Sequence, residues 1–215
     1  MEKKLVIFDL DGTILNTLED LADSVNYALS VNQLPTRTLQ EIRSFVGNGI
    51  RKLVDRAVPK DCEETVGNKV FADFGTHYKE HCADKTRPYD GILELLANLQ
   101  DKGYRLAVVS NKADFAVQEL CETYFPGKFS YVVGEREGIR RKPSPDSVLE
   151  VLEKLQVKKE EGVYVGDSEV DVQTAKNAGM DMICVEWGFR ERDFLMEQGA
   201  KNFVTQPEEI LDFLS

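Results

Sequence analysis

The sequence has no apolar run longer than five residues, and its four cysteines, Cys62, Cys82, Cys121 and Cys184, are scattered with no CxxC pair. Runs that short exclude a membrane-spanning helix, which needs about 20 consecutive apolar residues. The cysteine spacing argues against a disulfide framework or a zinc knuckle and predicts reduced thiols, most of them in the core. Positive charge is also scarce: 27 Lys and Arg against 38 Asp and Glu leave a net −11. That balance gives no electrostatic footprint for nucleic acid or an anionic membrane. Arg140-Arg141-Lys142 is the one basic cluster, and its two arginines are read as solvated surface. No signal-peptide pattern precedes the first apolar run, so a cytoplasmic protein is expected. No internal repeat or low-complexity segment stands out.

What remains is an ordinary globular composition over 215 residues, 42% hydrophobic and 30% charged. Continuous apolar runs rich in β-branched residues occur at Leu5–Phe8, Leu106–Val109, Tyr131–Val133, Val163–Val165 and Met182–Val185. Unbroken rather than alternating runs fit strands covered on both faces, as in a parallel sheet. Helical patterns lie between most of them. Ile92–Leu99 stops at Gly103, Ser144-Pro145 supplies a cap residue and a first-turn proline, and Asp171–Ala178 ends at Gly179. The expectation is an α/β fold, a doubly wound, Rossmann-like parallel sheet.

One interval breaks that rhythm. Between residues 15 and 87 the patterns are helical, at Leu18–Val31, Leu39–Phe45, Ile50–Val58 and Val66–Cys82. Thr17 with Asp20, and Thr38 with Glu41, have capping-box spacing. A small helical domain inserted after the first strand, 15–87, is expected within a discontinuous core of 1–14 and 88–215. Its hinges are expected near Leu15–Asn16 and Thr86–Pro88, where an inserted domain would serve as a lid that keeps water from the site.

Open α/β sheets bind ligands outside the carboxyl ends of their strands. The strand ends deliver Asp9 and Asp11 from DLDGT, Ser110 and Asn111 from VVSNK, Lys142 from RRKPSP, and Asp167 then Asp171 from VGDSEVD. Three carboxylates in one cleft suit a hard divalent cation such as Mg²⁺. The lysine, hydroxyl and amide supply donors for an anion, so phosphoryl chemistry is indicated. Asp9 is placed to act as a nucleophile on phosphorus, with Asp11 as the proton shuttle two residues on. Gly12 permits a tight turn beside a ligand, and Thr13 can hydrogen-bond the loop.

Taken in order, DLDGT, VVSNK, the lysine of KPSP and GDSEVD resemble the four motifs of the haloacid dehalogenase-like phosphatases. The resemblance spans essentially the whole chain and implies a doubly wound core with a helical cap. By position it implies Asp9 as nucleophile and Asp11 as acid/base. It implies Mg²⁺ held by Asp9, the Asp11 backbone carbonyl and Asp167, phosphate bound by Ser110 and Lys142 with help from Asn111, and Asp171 as an outer-shell acid. SNK, GDSEVDVQTAKNAG, VEWGF and VGNGIRKLV are similar to phosphoglycolate phosphatases in particular, although a threonine usually stands where Ser110 does. Gly47, Asn48 and Gly49 form a possible substrate loop, or a plain turn. The alternatives within the fold are a broad-range sugar-phosphate, nucleotide or pyrophosphate hydrolase, or a β-phosphoglucomutase, against which Asp167 argues because glutamate is usual there. The expected partner is a small phosphate ester, bound by a monomer or homodimer.

Two readings lie outside the class. His77-Tyr78-Lys79-Glu80-His81 spells the HxxEH of a zinc peptidase, but no third-ligand motif accompanies it. A non-catalytic binding module is the other, and the intact acids, hydroxyl and lysine speak against it. A calcium loop is excluded because a strand, not a helix, precedes Asp9.

Overall fold

A computed structural model describes residues 2–214. The chain divides into two compact units, Met1–Leu15 with Pro88–Ser215, and Asn16–Arg87.

The first unit is built on six parallel strands. They are β1 (Leu5–Phe8), β4 (Arg105–Ala113), β5 (Tyr131–Glu135), β6 (Gly162–Gly166), β7 (Asp181–Val185) and β8 (Phe203–Val204), in the spatial order β5-β4-β1-β6-β7-β8. All four residues of β1 are fully buried, and the two faces explain why. Val6 and Phe8 join a core with Leu95, Leu96, Val117 and Leu120, while Leu5 and Ile7 join another with Val148, Val151 and Tyr164. Those partners lie on α5 (Ile92–Asp101), α6 (Asp114–Tyr124), α7 (Asp146–Lys154) and β6. A run of four apolar residues is what a strand sandwiched by helices needs, and each such side chain contributes about 1.5–3 kcal/mol on burial. The unit is completed by α8 (Glu169–Ala178), α9 (Arg192–Glu197) and α10 (Ile210–Leu214).

The strand order reverses at β1, with β4 on one side and β6 on the other. Phe8 is level with Val108 and Val165, so the chain leaves all three strands at the same edge. That is the crevice where such sheets bind ligands.

The second unit holds α1 (Leu18–Val31), α2 (Leu39–Phe45), α3 (Ile50–Ala57) and α4 (Glu64–His81). Leu21, Val25, Ala28 and Leu29 form the buried stripe of α1, and Val70, Phe74 and Tyr78 that of α4, against which α1 packs. Two-residue strands, β2 (Leu15–Asn16) and β3 (Arg87–Pro88), pair where the chain leaves and re-enters the first unit.

Two local expectations need correcting. The Thr38–Glu41 capping box forms, but Thr17 makes no side-chain cap bond to α1. Asp20 instead accepts from the backbone N–H of Lys85 at 3.0 Å and of Thr86 at 2.8 Å, and from the Thr86 hydroxyl at 2.7 Å. Three donors 65 residues away outcompete one local box. At α7, Pro145 occupies the cap position itself, and Ser144 lies one residue earlier, donating to Asp146 Oδ1 at 2.7 Å.

Candidate active site

Asp9 leaves β1 directly, its N–H donating to the Val165 carbonyl at 2.9 Å. Its Oδ1 accepts from the Leu10 N–H at 2.7 Å and lies 2.9 Å from Lys142 Nζ. Lys142 Nζ also reaches Asp171 Oδ1 at 2.7 Å and the Tyr164 hydroxyl at 3.0 Å. The lysine is 4% exposed, Asp9 8% and Asp171 fully buried, so this is an interior ionic cluster.

Asn111 braces the lysine's backbone from both sides, accepting from Lys142 N–H at 2.8 Å and donating to its carbonyl at 3.1 Å. Asn111 lies with Ser110 and Lys112 where the β4–β5 register shifts. Such an irregularity re-aims side chains at a strand end. Ser110 is buried, and its Oγ accepts from the Lys112 N–H at 3.2 Å.

Asp167 follows β6. Its Oδ1 accepts from Thr13 Oγ1 at 3.1 Å and its Oδ2 from the Phe189 N–H at 2.7 Å. Asp171 is saturated by its surroundings: Oδ2 takes the Ser168 N–H at 3.1 Å and hydroxyl at 2.6 Å, and Oδ1 takes Lys142 and, at 3.2 Å, Tyr164. Glycines make the packing possible. A Cβ at Gly12, where φ is +85°, would stand 2.5 Å from Asp167 Oδ2, and one at Gly188 2.2 Å from Asp167 Cβ.

Sequence reasoning missed Lys112 and Tyr164 here. Lys112 Nζ contacts both oxygens of Asp11, at 2.9 and 3.1 Å. Tyr164 sits beneath Lys142. Trp187 Nε1–H donates to the Thr13 carbonyl at 2.9 Å, so the segment from Trp187 to Phe189 fastens the loop after β1 to Asp167. The signal for Lys112 was its place next to Ser110-Asn111 at a strand end; nothing local marks Tyr164.

Burial pushes the Asp9 carboxyl well above its usual range, with Asp171 adding to the push and Lys142 opposing it. Asp167 is pushed up to about 7, first by burial and then by Asp171, against the Phe189 N–H and Thr13 hydroxyl. Burial works against the charge on Lys142, but Asp171 and Asp9 outweigh it and hold the ammonium. Three carboxylates against one lysine leave two surplus negative charges when all are ionised.

That surplus tests whether a dication fits. Ligand oxygens of Asp9, Asp167 and Asp171 lie within 4.8 Å of one another. Oxygen donors alone suit Mg²⁺, and a doubly charged ion would cancel the surplus. With Asp171 already saturated, Asp9 and Asp167 are the carboxylates with room for the ion.

The other sequence candidates lie in the helical unit. Gly47, Asn48 and Gly49 form an ordered turn before α3, with φ of +119° and +83° at the two glycines. Arg56 donates to Asn48 Oδ1 and to the Phe45 carbonyl, each at 2.7 Å. His77 and His81 stack at 4.3 Å, with His77 Nδ1 3.0 Å from Ser24 Oγ and His81 Nδ1 2.7 Å from Asp84. Among the described residues, the one grouping of three metal-ligand side chains is the aspartate cluster, so the peptidase reading gains no third ligand.

These features define a hydrolase that works on phosphate esters at the switch point of a doubly wound sheet. The chain belongs to the haloacid dehalogenase-like hydrolases, whose family profile matches residues 6–185, and it is a phosphatase of that family. A phosphoglycolate phosphatase of Mesorhizobium japonicum is 31% identical over 89% of this chain and 86% of its own length. An N-acetylmuramic acid 6-phosphate phosphatase of Pseudomonas aeruginosa is 30% identical over 100% of this chain and 96% of its own. A crystal structure from Lactobacillus delbrueckii subsp. bulgaricus, carrying a provisional phosphoglycolate phosphatase name, superposes with a TM-score of 0.94 at 41% identity, covering 100% of this chain and 99% of its own.

Proposed function

We propose that the protein is a Mg²⁺-dependent phosphatase of small phosphate monoesters, with phosphoglycolate as the leading substrate. The observation that carries the chemistry is Lys142 Nζ lying within 2.9 Å of both Asp9 and Asp171 at the β1 switch point. The relatives' names carry the substrate.

In this reading Asp9 attacks phosphorus through a carboxylate oxygen. The P–O bond to the leaving alcohol breaks, and Asp11 delivers a proton to that oxygen. Asp11 then takes a proton from the water that attacks the aspartyl-phosphate, which releases phosphate and restores Asp9. Lys142 and the Ser110 hydroxyl hold the phosphoryl oxygens, with Asn111 fixing the lysine's backbone and Asp171 its ammonium. Asp9, the Asp11 carbonyl and Asp167 would hold Mg²⁺, which supplies charge stabilisation for the transferring phosphoryl group. Substrate selection is assigned to the helical unit, with Gly47, Asn48 and Gly49 its candidate loop. Nothing in the composition calls for nucleic acid, and no helix among the described residues is long and apolar enough to cross a membrane. A cytoplasmic monomer or homodimer fits these features.

The test is hydrolysis of p-nitrophenyl phosphate and of a panel of phosphoglycolate, sugar 6-phosphates, nucleotides and pyrophosphate. Asp9→Asn and EDTA should each abolish turnover, and phosphoglycolate should give the highest kcat/KM. Near-wild-type turnover by the variant with Mg²⁺ would remove Asp9 as nucleophile. A sugar 6-phosphate ahead of phosphoglycolate would move the substrate toward that of the Pseudomonas relative.

A further inference from the structure

Lys112 is a second buried lysine of this site, and neither motif spacing nor the reaction just described gives it a task. Its side chain is 2% exposed, and its ammonium contacts both oxygens of Asp11, whose side chain is 16% exposed. The two residues come from different strand ends, so neither could hold the other before the sheet forms. Lys112 is anchored at its base as well, since its N–H donates to Ser110 Oγ at 3.2 Å. Burying an ammonium is costly unless a charge partner and hydrogen bonds offset it. A lysine that only filled space here would be replaced by an apolar residue at no loss.

An aspartate side chain has two rotatable bonds, so one backbone conformation can present its carboxylate in several orientations. The backbone beside Asp11 is fixed, with the Gly12 N–H donating to the Leu15 carbonyl at 2.9 Å, but a fixed backbone leaves the side-chain orientation open. Asp11 must nevertheless present an oxygen to the leaving group and then to water. Misplacement of a reacting group by about 1 Å can lower a rate about 100-fold.

We infer that Lys112 is a positioning residue for the acid/base step: its ammonium fixes the Asp11 carboxylate at the leaving-group side of the site and takes no part in holding the phosphoryl group. The inference rests on the assignment of Asp11 as proton shuttle. It predicts that the cost of losing Lys112 depends on the leaving group, because kcat/KM reports the steps through formation of the aspartyl-phosphate. An alkyl alcohol needs a proton to leave; p-nitrophenolate does not.

Lys112→Met and Lys112→Gln are to be compared with wild type on p-nitrophenyl phosphate and on phosphoglycolate, or whichever alkyl phosphate the wild type turns over fastest. The expected result is a loss in kcat/KM of about 10–100-fold on the alkyl ester. The loss on the aryl ester should stay within about 3-fold, and the alkyl loss should fall in kcat with KM nearly unchanged. In an Asp11→Asn background, Lys112→Met should cost nothing further, since its effect acts through Asp11. This double variant also removes both charges together, which guards against misfolding from a carboxylate left without its ammonium. Equal losses on both esters, a raised KM in both backgrounds, or full activity of both Lys112 variants would overturn the inference. If Asp11→Asn itself left alkyl hydrolysis intact, the shuttle assignment would fall and Lys112 with it. An impaired Asp11→Asn beside unimpaired Lys112 variants would remove Lys112 alone.

Discussion

Gly188→Ala isolates the geometry of Asp167, the proposed metal ligand, in a single methyl group. Gly188 has no positive φ, so an alanine there meets no backbone strain; its effect is steric alone. The added Cβ would stand 2.2 Å from Asp167 Cβ and 2.6 Å from Oδ2. Ordinary contact begins near 3.4 Å, so relief requires about 1.2 Å of movement, 3.4 − 2.2. The neighbour is not a flexible chain end. Asp167 is 1% exposed and tied by Thr13 Oγ1 and the Phe189 N–H, and Phe189 adjoins the substituted residue. Either the carboxylate shifts or the 187–189 segment does, and both loosen the same bonds. Overpacking of this kind costs about 1–3 kcal/mol in stability. Disturbing the groups that orient a metal ligand weakens metal binding about 10–100-fold. The variant should therefore fold, with a slightly lower melting temperature, and need about 10–100 times more Mg²⁺ for half-maximal hydrolysis of p-nitrophenyl phosphate. The assay is a Mg²⁺ titration at saturating substrate beside a thermal melt. A wild-type Mg²⁺ midpoint in a folded variant would refute the claim that Asp167, oriented by Thr13 and the Phe189 N–H, holds the ion, since either shift loosens those bonds.

Two further outcomes follow from local surroundings. Gly75 lies inside α4 with nothing within 4 Å of where its Cβ would sit, so Gly75→Ala should raise stability by about 0.5–1 kcal/mol, read as a higher urea midpoint at unchanged m-value. Cys121 and Cys184 are buried, and burial first, then nearby aspartates, push their thiols up to about 12. At pH 8 each then carries only about 10⁻⁴ thiolate, so iodoacetamide should label the partly exposed Cys62 well before either, as read by peptide mass spectrometry. Labelling of Cys184 at a rate matching Cys62 in the native protein would contradict that packing.

The parts of this protein that could be read from sequence are those whose reason is local or repeated. Leu5–Phe8 is apolar at every position because helices cover both faces, and the run shows it. Asp9 and Asp167 could be picked out because a charged residue at the end of a buried run has few uses other than binding, whereas Lys142, seven residues past β5, was picked out from the KPSP motif. The misses share one cause: the deciding partner is distant in sequence. Thr17 and Asp20 have box spacing, yet Asp20 serves Lys85 and Thr86. Gly188 is needed because Asp167 occupies the space a side chain would fill, which no pattern around residue 188 encodes. The two-residue strand β8 is too short to leave a periodicity.

The lysines bring out the logic of the site. Its buried acids outnumber the cation that touches them, and unrelieved desolvation would drive protons onto Asp9 and Asp167, which would leave the proposed nucleophile protonated. Lys142 alone cannot prevent this, because it is shared between Asp9 and a fully buried Asp171. Replacing Asp171 with a hydrogen-bonding neutral residue would give Asp9 a larger share of the lysine, yet it would also remove the group that saturates the ammonium from beneath. With its acids ionised the arrangement therefore carries two surplus negative charges, and that imbalance is the force that would draw a dication to the edge of β1. Lys112 stands outside this account, since its partner Asp11 is the one acid that is partly exposed. In the proposed mechanism the two lysines separate two tasks that adjacent carboxylates would otherwise blur: Lys142 would keep Asp9 ready to attack, and Lys112 would keep Asp11 in place to move a proton.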